Sequence, residues 1–302
     1  MTQSSKGLQE REMIQTMAWK DTLKKLRDPN NHEVLITSHR GRFGSSVMEN
    51  SRMAFLLAVE EGADMVEMDL DRTKDGKIVA HHDRSMMRLF HIGSKICEWT
   101  LAELKEMPLY NCYGGQNASQ IDSFQEILDA LKDKTILILD RCWHCWDDVY
   151  DLLIQNKMLE QAIFKFNLHD NDAFQWACAH PDCMFIPITG DVNLYPLAYQ
   201  LQHIANVPAL EILPASPESP CFQDNSFAQL KTHGLKVWCN ALDLSRELVY
   251  GAGFDDLTSL RDGGNAGWGV LISHGVTIIQ TDFPIHLKKY LENQDIRPHD
   301  MP

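Results

Sequence analysis

The chain has 302 residues, 44 % of them apolar and 23 % charged, which is enough to bury the core of one large α/β domain. A net charge of −14 argues against nucleic acid or an anionic membrane surface as partner, because both are bound through clustered Lys and Arg. No stretch approaches the roughly 18 consecutive apolar residues of a membrane span, so no integral membrane association is expected.

The opening "MTQSSKGLQEREMIQTMAWKDTLKKLRD" lacks a cationic leader with an apolar centre, and reads as a polar tip followed by an amphipathic helix, a helical extension over 1–33. No secretory signal is expected, and a cytoplasmic location suits the cysteines at 97, 112, 142, 145, 178, 183, 221 and 239. Only Cys142 with Cys145 and Cys178 with Cys183 are close in sequence, and no further pair completes a zinc site. Mostly buried free thiols are the expectation.

From residue 34 onward, short β-branched runs alternate with helical patterns. Strands are predicted at "VLITSH" (34–39), "MVEMDL" (65–70), "TILILD" (135–140), "AIFKF" (162–166), "MFIPI" (184–188), "ALEIL" (209–213), "KVWCN" (236–240) and "TIIQTD" (277–282). Helices are predicted at "SRMAFLLAVEEGA", "DSFQEILDALKDK", "WDDVYDLLIQNKM", "DNDAFQWACAHP", "YPLAYQLQHIANV", "SPCFQDNSFAQLKTHG" and "DDLTSLRDGGNAGWGVLISHG". Gly62, Gly234 and Gly275 follow final helical turns, as C-terminal stops do. This alternation predicts a closed parallel (β/α)8 TIM barrel over 34–292, with a tail over 293–302. An open doubly wound sheet is the rival, but no Gly-x-Gly-x-x-Gly follows the first strand. Residues 84–134 separate the second and third strands by much more than an ordinary crossover, so part of that stretch is expected to form an inserted lobe over one barrel end.

In "MVEMDL", Glu67 and Asp69 leave the same side of a strand, while Val66, Met68 and Leu70 face the helices. Two carboxylates on the inner face call for a cation. Oxygen-only ligands favour Mg²⁺ or Ca²⁺, with Mn²⁺ a further option, over zinc. The Asp-Gly turn in "TKDG" folds the strand back, so His81, His82 and Asp83 return opposite Asp69 and Glu67, within about 5 Å across the ladder. Alternation places His39 at the inner end of strand one and Asp140 at that of strand three. Lys165, on strand four, can set an ammonium on the same rim. Two imidazoles, three carboxylates and cations are a set for proton transfer and metal-assisted chemistry on an anionic ligand.

The pattern "HRG…EN(S)…GADMVEMDLDRTKDGKIVAHHD" resembles the glycerophosphodiester phosphodiesterase family, and "EWTLAELKEMPL", "IDSFQEILDAL", "VWCNAL" and "IIQTDFP" extend the likeness over roughly 34–290. The resemblance implies a (β/α)8 barrel that hydrolyses glycerophosphodiesters with one divalent cation, taking a small-molecule glycerophosphodiester as substrate. It implies that His39 and His82 are the acid/base pair, that Glu67 and Asp69 bind the metal, and that Arg40 contacts phosphate. His82 is preferred to His81 because it directly precedes Asp83. Much of the family has Glu followed two residues later by Lys as its third ligand; here Asp140 and Cys142 stand at those places. Cys142 cannot supply a cation, but "LDRCW" and "FKF" resemble a subgroup with Asp followed by Lys or Arg and Trp and with a lysine at strand four, and that resemblance assigns the missing charge to Lys165. Gly41 and Gly44 would let the loop approach a ligand, and Glu49 and Asn50 would support it and cap the first helix.

Arg88 is read as a further phosphate contact, against the plainer alternative of a surface charge. Glu211 points inward if Leu210 and Ile212 face outward, and Trp238 and Asn240 are placed to line the pocket. Most of the thirteen histidines, such as His169, His203 and His299, are read as structural or solvent-exposed. The leading reading is metal-dependent hydrolysis to glycerol phosphate and an alcohol. The alternatives are a phospholipase-D-like or cyclising lyase and, given Cys142, a non-catalytic phosphodiester-binding protein on the same barrel.

Overall fold

A computed structural model describes residues 18–298 except 45, 112 and 246. Most of the expected N-terminal tip, together with His299 and the end of the expected tail, lies outside the described residues. The strands, in chain order, are β1 (Leu35–Ser38), β2 (Met65–Arg72), β3 (Ile78–Ala80), β4 (Leu109–Tyr110), β5 (Gln116–Asn117), β6 (Ile136–Asp140), β7 (Ala162–Asn167), β8 (Met184–Thr189), β9 (Ala209–Ile212), β10 (Lys236–Asn240) and β11 (Ile278–Thr281). Eight of them pair in parallel in the order β1-β2-β6-β7-β8-β9-β10-β11, and β11 pairs back onto β1, so the sheet closes into a barrel with helices between its strands. All eight predicted strands are present to within a few residues of the predicted bounds.

Period-two alternation divides each barrel strand between two layers. Leu35, Met65, Ile136, Ile138, Ile163, Met184, Ile186, Ala209, Trp238 and Ile278 fill the interior. Trp19, Leu23 and Leu26 of helix α1 (18–27) pack against that same set and close the end of the barrel where the strands begin. The outward positions, Val66, Met68, Leu70, Leu137, Leu139, Phe164 and Phe166 among them, meet the surrounding helices in a continuous apolar layer.

The helices that follow are α2 (Arg52–Glu60), α3 (Met87–Phe90), α4 (Leu101–Glu106), α5 (Phe124–Leu131), α6 (Trp146–Asn156), α7 (Asn171–Ala179), α8 (Tyr195–Gln202), α9 (Asp224–Thr232), α10 (Asp256–Asp262), α11 (Trp268–Ser273) and α12 (Pro284–Asn293). The stretch 255–275, predicted as one helix, is two. Gly263 at φ +97° ends α10, and Gly267 packs so closely that a Cβ there would meet Ser259 Oγ at 2.0 Å. Among the described residues no helix is long and apolar enough to cross a membrane.

Strand β2 outruns the barrel rim and turns back through Thr73–Gly76 into antiparallel β3, with Leu70 opposite Ala80 and Arg72 opposite Ile78. Gly76 takes φ +73°, the left-handed residue that the turn requires. Beyond the hairpin, α3, α4 and the small β4–β5 ribbon surround their own apolar cluster, in which Leu89, Phe90, Leu104 and Leu109 pack on Met48 and Val79.

Candidate active site

At the ends of β1, β2, β6, β7, β9 and β10 the inward side chains change from apolar to charged or polar. His39 follows β1, its backbone N–H donating to Thr281 O at 3.0 Å. Its Nδ1 lies 2.9 Å from Asp282 Oδ1. Asp282 is itself set by Asp256, whose Oδ2 accepts the Asp282 N–H at 2.9 Å. The other oxygen of Asp256 accepts from Trp268 Nε1 and Thr281 Oγ1, both at 2.7 Å. A carboxylate therefore fixes the first imidazole, and a second, buried carboxylate fixes the first.

On β2, Glu67 and Asp69 are both 2 % exposed and face inward, in register with Ile138 and Asp140 of β6. Asn50, at φ +52°, grips Asp69 twice: its Nδ2 donates to Asp69 Oδ2 at 2.9 Å and its Oδ1 accepts the Asp69 N–H at 3.0 Å. Arg40, also left-handed at φ +52°, donates its backbone N–H to Glu67 Oε2 at 3.1 Å, and its guanidinium meets Glu49 at 3.0 Å and Asp69 at 3.2 Å. Burial works against charge on Arg40, but Asp69, Glu49 and Glu67 together raise its pKa. Burial pushes the Glu67 carboxyl well above the usual range, and Asp69 and Asp140 push it further than Lys165 and Arg40 draw it back.

The hairpin delivers the second imidazole. His82 Nδ1 sits 2.7 Å from Asp83 Oδ1, and its Nε2 is 3.0 Å from Arg141 Nη1. Burial lowers its pKa, and Arg40 and Arg141 lower it further against Asp69 and Asp83. His81 points away, 2 % exposed beneath the residues beyond the hairpin, its backbone N–H on Asp69 O at 3.0 Å.

One cavity of about 460 Å³ at the C-terminal ends of the strands is lined by His39, Arg40, Glu67, Asp69, His82, Asp140, Arg141, Lys165, Glu211 and Asn240. Residues up to 201 positions apart, His39 and Asn240, thus converge where active sites of such barrels form. The opposite side of the mouth is apolar: Leu213, Leu242, Leu244, Leu248 and Tyr250 line it, with Leu244 and Leu248 exposed.

Several expected residues stand elsewhere or act otherwise. Lys165, expected to face phosphate, is 2 % exposed and paired with Glu211 at 2.6 Å and Asp140 at 3.3 Å, its ammonium 4.9 Å over the Trp238 ring. Its charge is spent on carboxylates at the cavity floor. Arg88 clasps Glu49 and Asp83 at 2.5–2.7 Å outside the cavity. Glu211 faces inward and accepts from Asn240 Nδ2 at 2.8 Å, while Trp238 is barrel core that donates to Asn240 Oδ1 at 2.8 Å. Ser51, not Glu49 or Asn50, caps α2, its hydroxyl accepting from Ala54 N. Gly41 packs on α2, where at φ +78° a Cβ would lie 2.6 Å from Ala54 C, whereas Gly44 has room. The free cysteines Cys142, Cys145, Cys183, Cys221 and Cys239 are buried.

Sequence reasoning gives no role to Arg141, Asp256 or Asp282, and uses Asp83 only to choose between His81 and His82. The signals for two of them lie in plain view: Arg141 directly follows a strand-end carboxylate, and Asp282 closes the last strand in "QTDFP".

The carboxylates suit a hard divalent cation. Glu67, Asp69 and Asp140 offer oxygen alone, with Glu67 and Asp69 buried on one strand and Asp140 in register beside Asp69. Glu67 Oε1 and Asp69 Oδ1 carry no hydrogen bond among the described residues. In this arrangement the carboxylates hold cationic side chains, and no three His, Cys, Asp or Glu among the described residues are gathered closely enough to enclose an ion.

Residues 39–177 match the model of the glycerophosphoryl diester phosphodiesterase family, and residues 195–291 match that of a domain of unknown function. A glycerophosphodiester phosphodiesterase of Caldanaerobacter subterraneus is 33 % identical over 107 residues, 35 % of this chain and 44 % of that protein. The chain thus spans less than half the length of that relative. The lysophospholipase D GDPD1 of Rattus norvegicus is 23 % identical over 85 % of both chains. Among solved structures, a glycerophosphoryl diester phosphodiesterase of Parabacteroides distasonis shares the fold with a TM-score of 0.75 at 21 % identity, over 91 % of this chain and 92 % of that one. An Oleispira antarctica phosphodiesterase in complex with sn-glycerol-3-phosphate has a TM-score of 0.64 at 18 % identity, over 87 % of this chain and 99 % of that one.

Proposed function

We infer that the chain, which belongs to the glycerophosphoryl diester phosphodiesterase family, hydrolyses glycerophosphodiesters to glycerol phosphate and an alcohol in this cavity. The observation that carries the reading is the pair of imidazoles, His39 and His82, each lining one cavity and each tied through Nδ1 to its own carboxylate. That tie makes Nδ1 the protonated nitrogen and leaves Nε2 for chemistry.

His82, whose pKa is lowered, is neutral at pH 7 and serves as the base that takes a proton from the attacking water. His39, held through Nδ1 by the Asp282 carboxylate, serves as the acid whose Nε2 proton passes to the leaving alkoxide. Arg40, at the cavity lining, contributes donors toward phosphoryl oxygens. Glu67, Asp69 and Asp140 would hold a divalent cation, Mg²⁺, Ca²⁺ or Mn²⁺, which when bound withdraws charge from a phosphoryl oxygen. The free thiols suit a cytoplasmic setting.

The test is turnover of glycerophosphocholine, glycerophosphoethanolamine and glycerophosphoinositol, in chelator and then with each cation restored. His39→Ala and His82→Ala should each lose about 10²–10⁴ in kcat. Near-parental turnover by either variant overturns its role. Phosphorus NMR separates direct hydrolysis from a cyclic phosphate product.

The apolar side of the mouth favours a second reading, a lysophospholipase D acting on a phosphodiester with a long apolar chain, as the rat relative's name describes. Turnover of lysophosphatidylcholine well above that of glycerophosphocholine would establish it, and the reverse ratio would remove it.

A further inference from the structure

The cations around the cavity are matched with anions, except one. Lys165 is held by Glu211 and Asp140, Arg40 by Glu49 and Asp69, and Arg88 by Glu49 and Asp83. The Arg141 guanidinium lines the cavity, but its hydrogen bonds run to His82 Nε2 at 3.0 Å and His82 O at 3.5 Å, both neutral acceptors. Among the described residues no carboxylate pairs with it.

The backbone holds this arrangement at a cost. Arg141 adopts φ +56°, a left-handed conformation that a non-glycine residue holds only where its surroundings fix it. Asp140 Oδ1 accepts the Arg141 N–H at 2.7 Å, and Trp143 Nε1 donates to Lys165 O at 2.8 Å, pinning the turn over the cavity. The same turn sends the Cys142 side chain, 0 % exposed, into the outer apolar layer. A side chain at 142 does not reach the cavity, whereas one at 141 does.

We propose that Arg141 is a phosphate-binding cation of this site beside Arg40, taking the place that neither Cys142 nor Lys165 fills, and that substrate draws it away from His82. A guanidinium is always charged and its planar fork suits phosphoryl oxygens, so an anion outcompetes a neutral imidazole for it. When Nη1 turns to the phosphodiester, the His82 Nε2 lone pair is released at the moment a base is needed. Arrival of substrate and unmasking of the base become one event. This rests on the phosphodiesterase reading given above.

The test uses the full chain with Arg141→Gln and Arg141→Lys, and reads two quantities. One is the affinity for sn-glycerol-3-phosphate by calorimetry, and the other is kcat and KM on glycerophosphocholine. Arg141→Gln should weaken sn-glycerol-3-phosphate by about tenfold or more and raise KM in parallel. Arg141→Lys should recover part of the affinity. Methylguanidinium added to Arg141→Ala should restore part of the activity, which a purely structural role would not allow. Unchanged affinity and KM in Arg141→Gln overturns the assignment while leaving the enzyme reading intact. If the parent binds sn-glycerol-3-phosphate but hydrolyses none of the diesters, the enzyme reading fails and the binding comparison still decides Arg141. A parent that neither binds nor hydrolyses overturns both.

Discussion

Asp282 Oδ1 stands 2.9 Å from His39 Nδ1, joining the end of the last barrel strand to the end of the first. The two residues are neighbours because β11 pairs with β1 in parallel register, Ser38 opposite Thr281. Closure of the barrel is thus what supplies the first imidazole with its carboxylate. Asp282→Asn keeps the shape but no longer fixes the tautomer. It should lower kcat by about 10²–10⁴ with little change in KM, and Asp282→Glu should recover part of the loss. Steady-state kinetics with a circular dichroism control decide it; a parental kcat in Asp282→Asn removes Asp282 from the positioning of His39.

The fold resists charge on Glu67, whose carboxyl is pushed well above the usual range by burial, Asp69 and Asp140. In chelator, Glu67→Gln should therefore be at least as stable as the parent. Added Mg²⁺ or Ca²⁺ should raise the parent's melting temperature by several degrees, as about 2.7 kcal/mol at a hundredfold excess over Kd implies, and leave Glu67→Gln almost unmoved. Equal shifts in both proteins would show that Glu67 does not hold the ion.

Gly41 and Gly44 lie in one loop but answer to different constraints. Gly41→Ala places a Cβ 2.6 Å from Ala54 C at φ +78° and should destabilise by about 2 kcal/mol or more. Gly44→Ala, whose nearest contact is 3.6 Å away, should be close to neutral. Denaturant midpoints of the two variants measure the contrast.

Glu126 caps α5 through Ser123 and accepts from Lys105 Nζ at 2.7 Å. Burial alone would raise its pKa, but the hydrogen bonds from Lys105 and Ser123 hold it down to about 2, against an ordinary 4.5. A folded-state pKa below the unfolded one gives stability that is full above 4.5 and fades as the pH falls toward 2. Glu126→Gln should therefore melt below the parent at pH 7, and the gap should close over that acid range. A gap that stays constant with pH would mean that the loss is not electrostatic.

Much of this architecture is legible because strand alternation is a local rule. Once β1, β2 and β6 are recognised, the inward placement of His39, Glu67, Asp69 and Asp140 follows, and the Asp-Gly turn brings back His82. What alternation does not carry is where long side chains spend their charge. Lys165 and Arg141 are both cations at strand ends. Only the inward reach of Glu211, 46 positions after Lys165, decides that Lys165 is neutralised. Asp282 escapes the same reading because its partner His39 lies across the closing seam of the sheet, and Asp256 because it reaches Trp268, Thr281 and Asp282 from a helix rather than a strand. The cap at Ser51 was one residue from the expected pair, since Asn50 is drawn off to Asp69.

Helix α1 gives the barrel a stopper. With Trp19, Leu23 and Leu26 seated at the strand beginnings, that end is closed among the described residues, and the charged pit lies at the other. Whatever binds deepest, beside Glu67 and Lys165, must be loaded before anything that rests nearer the leucine-lined threshold. Departure runs in reverse, so the part of a ligand lying against Leu244 and Leu248 clears the exit first.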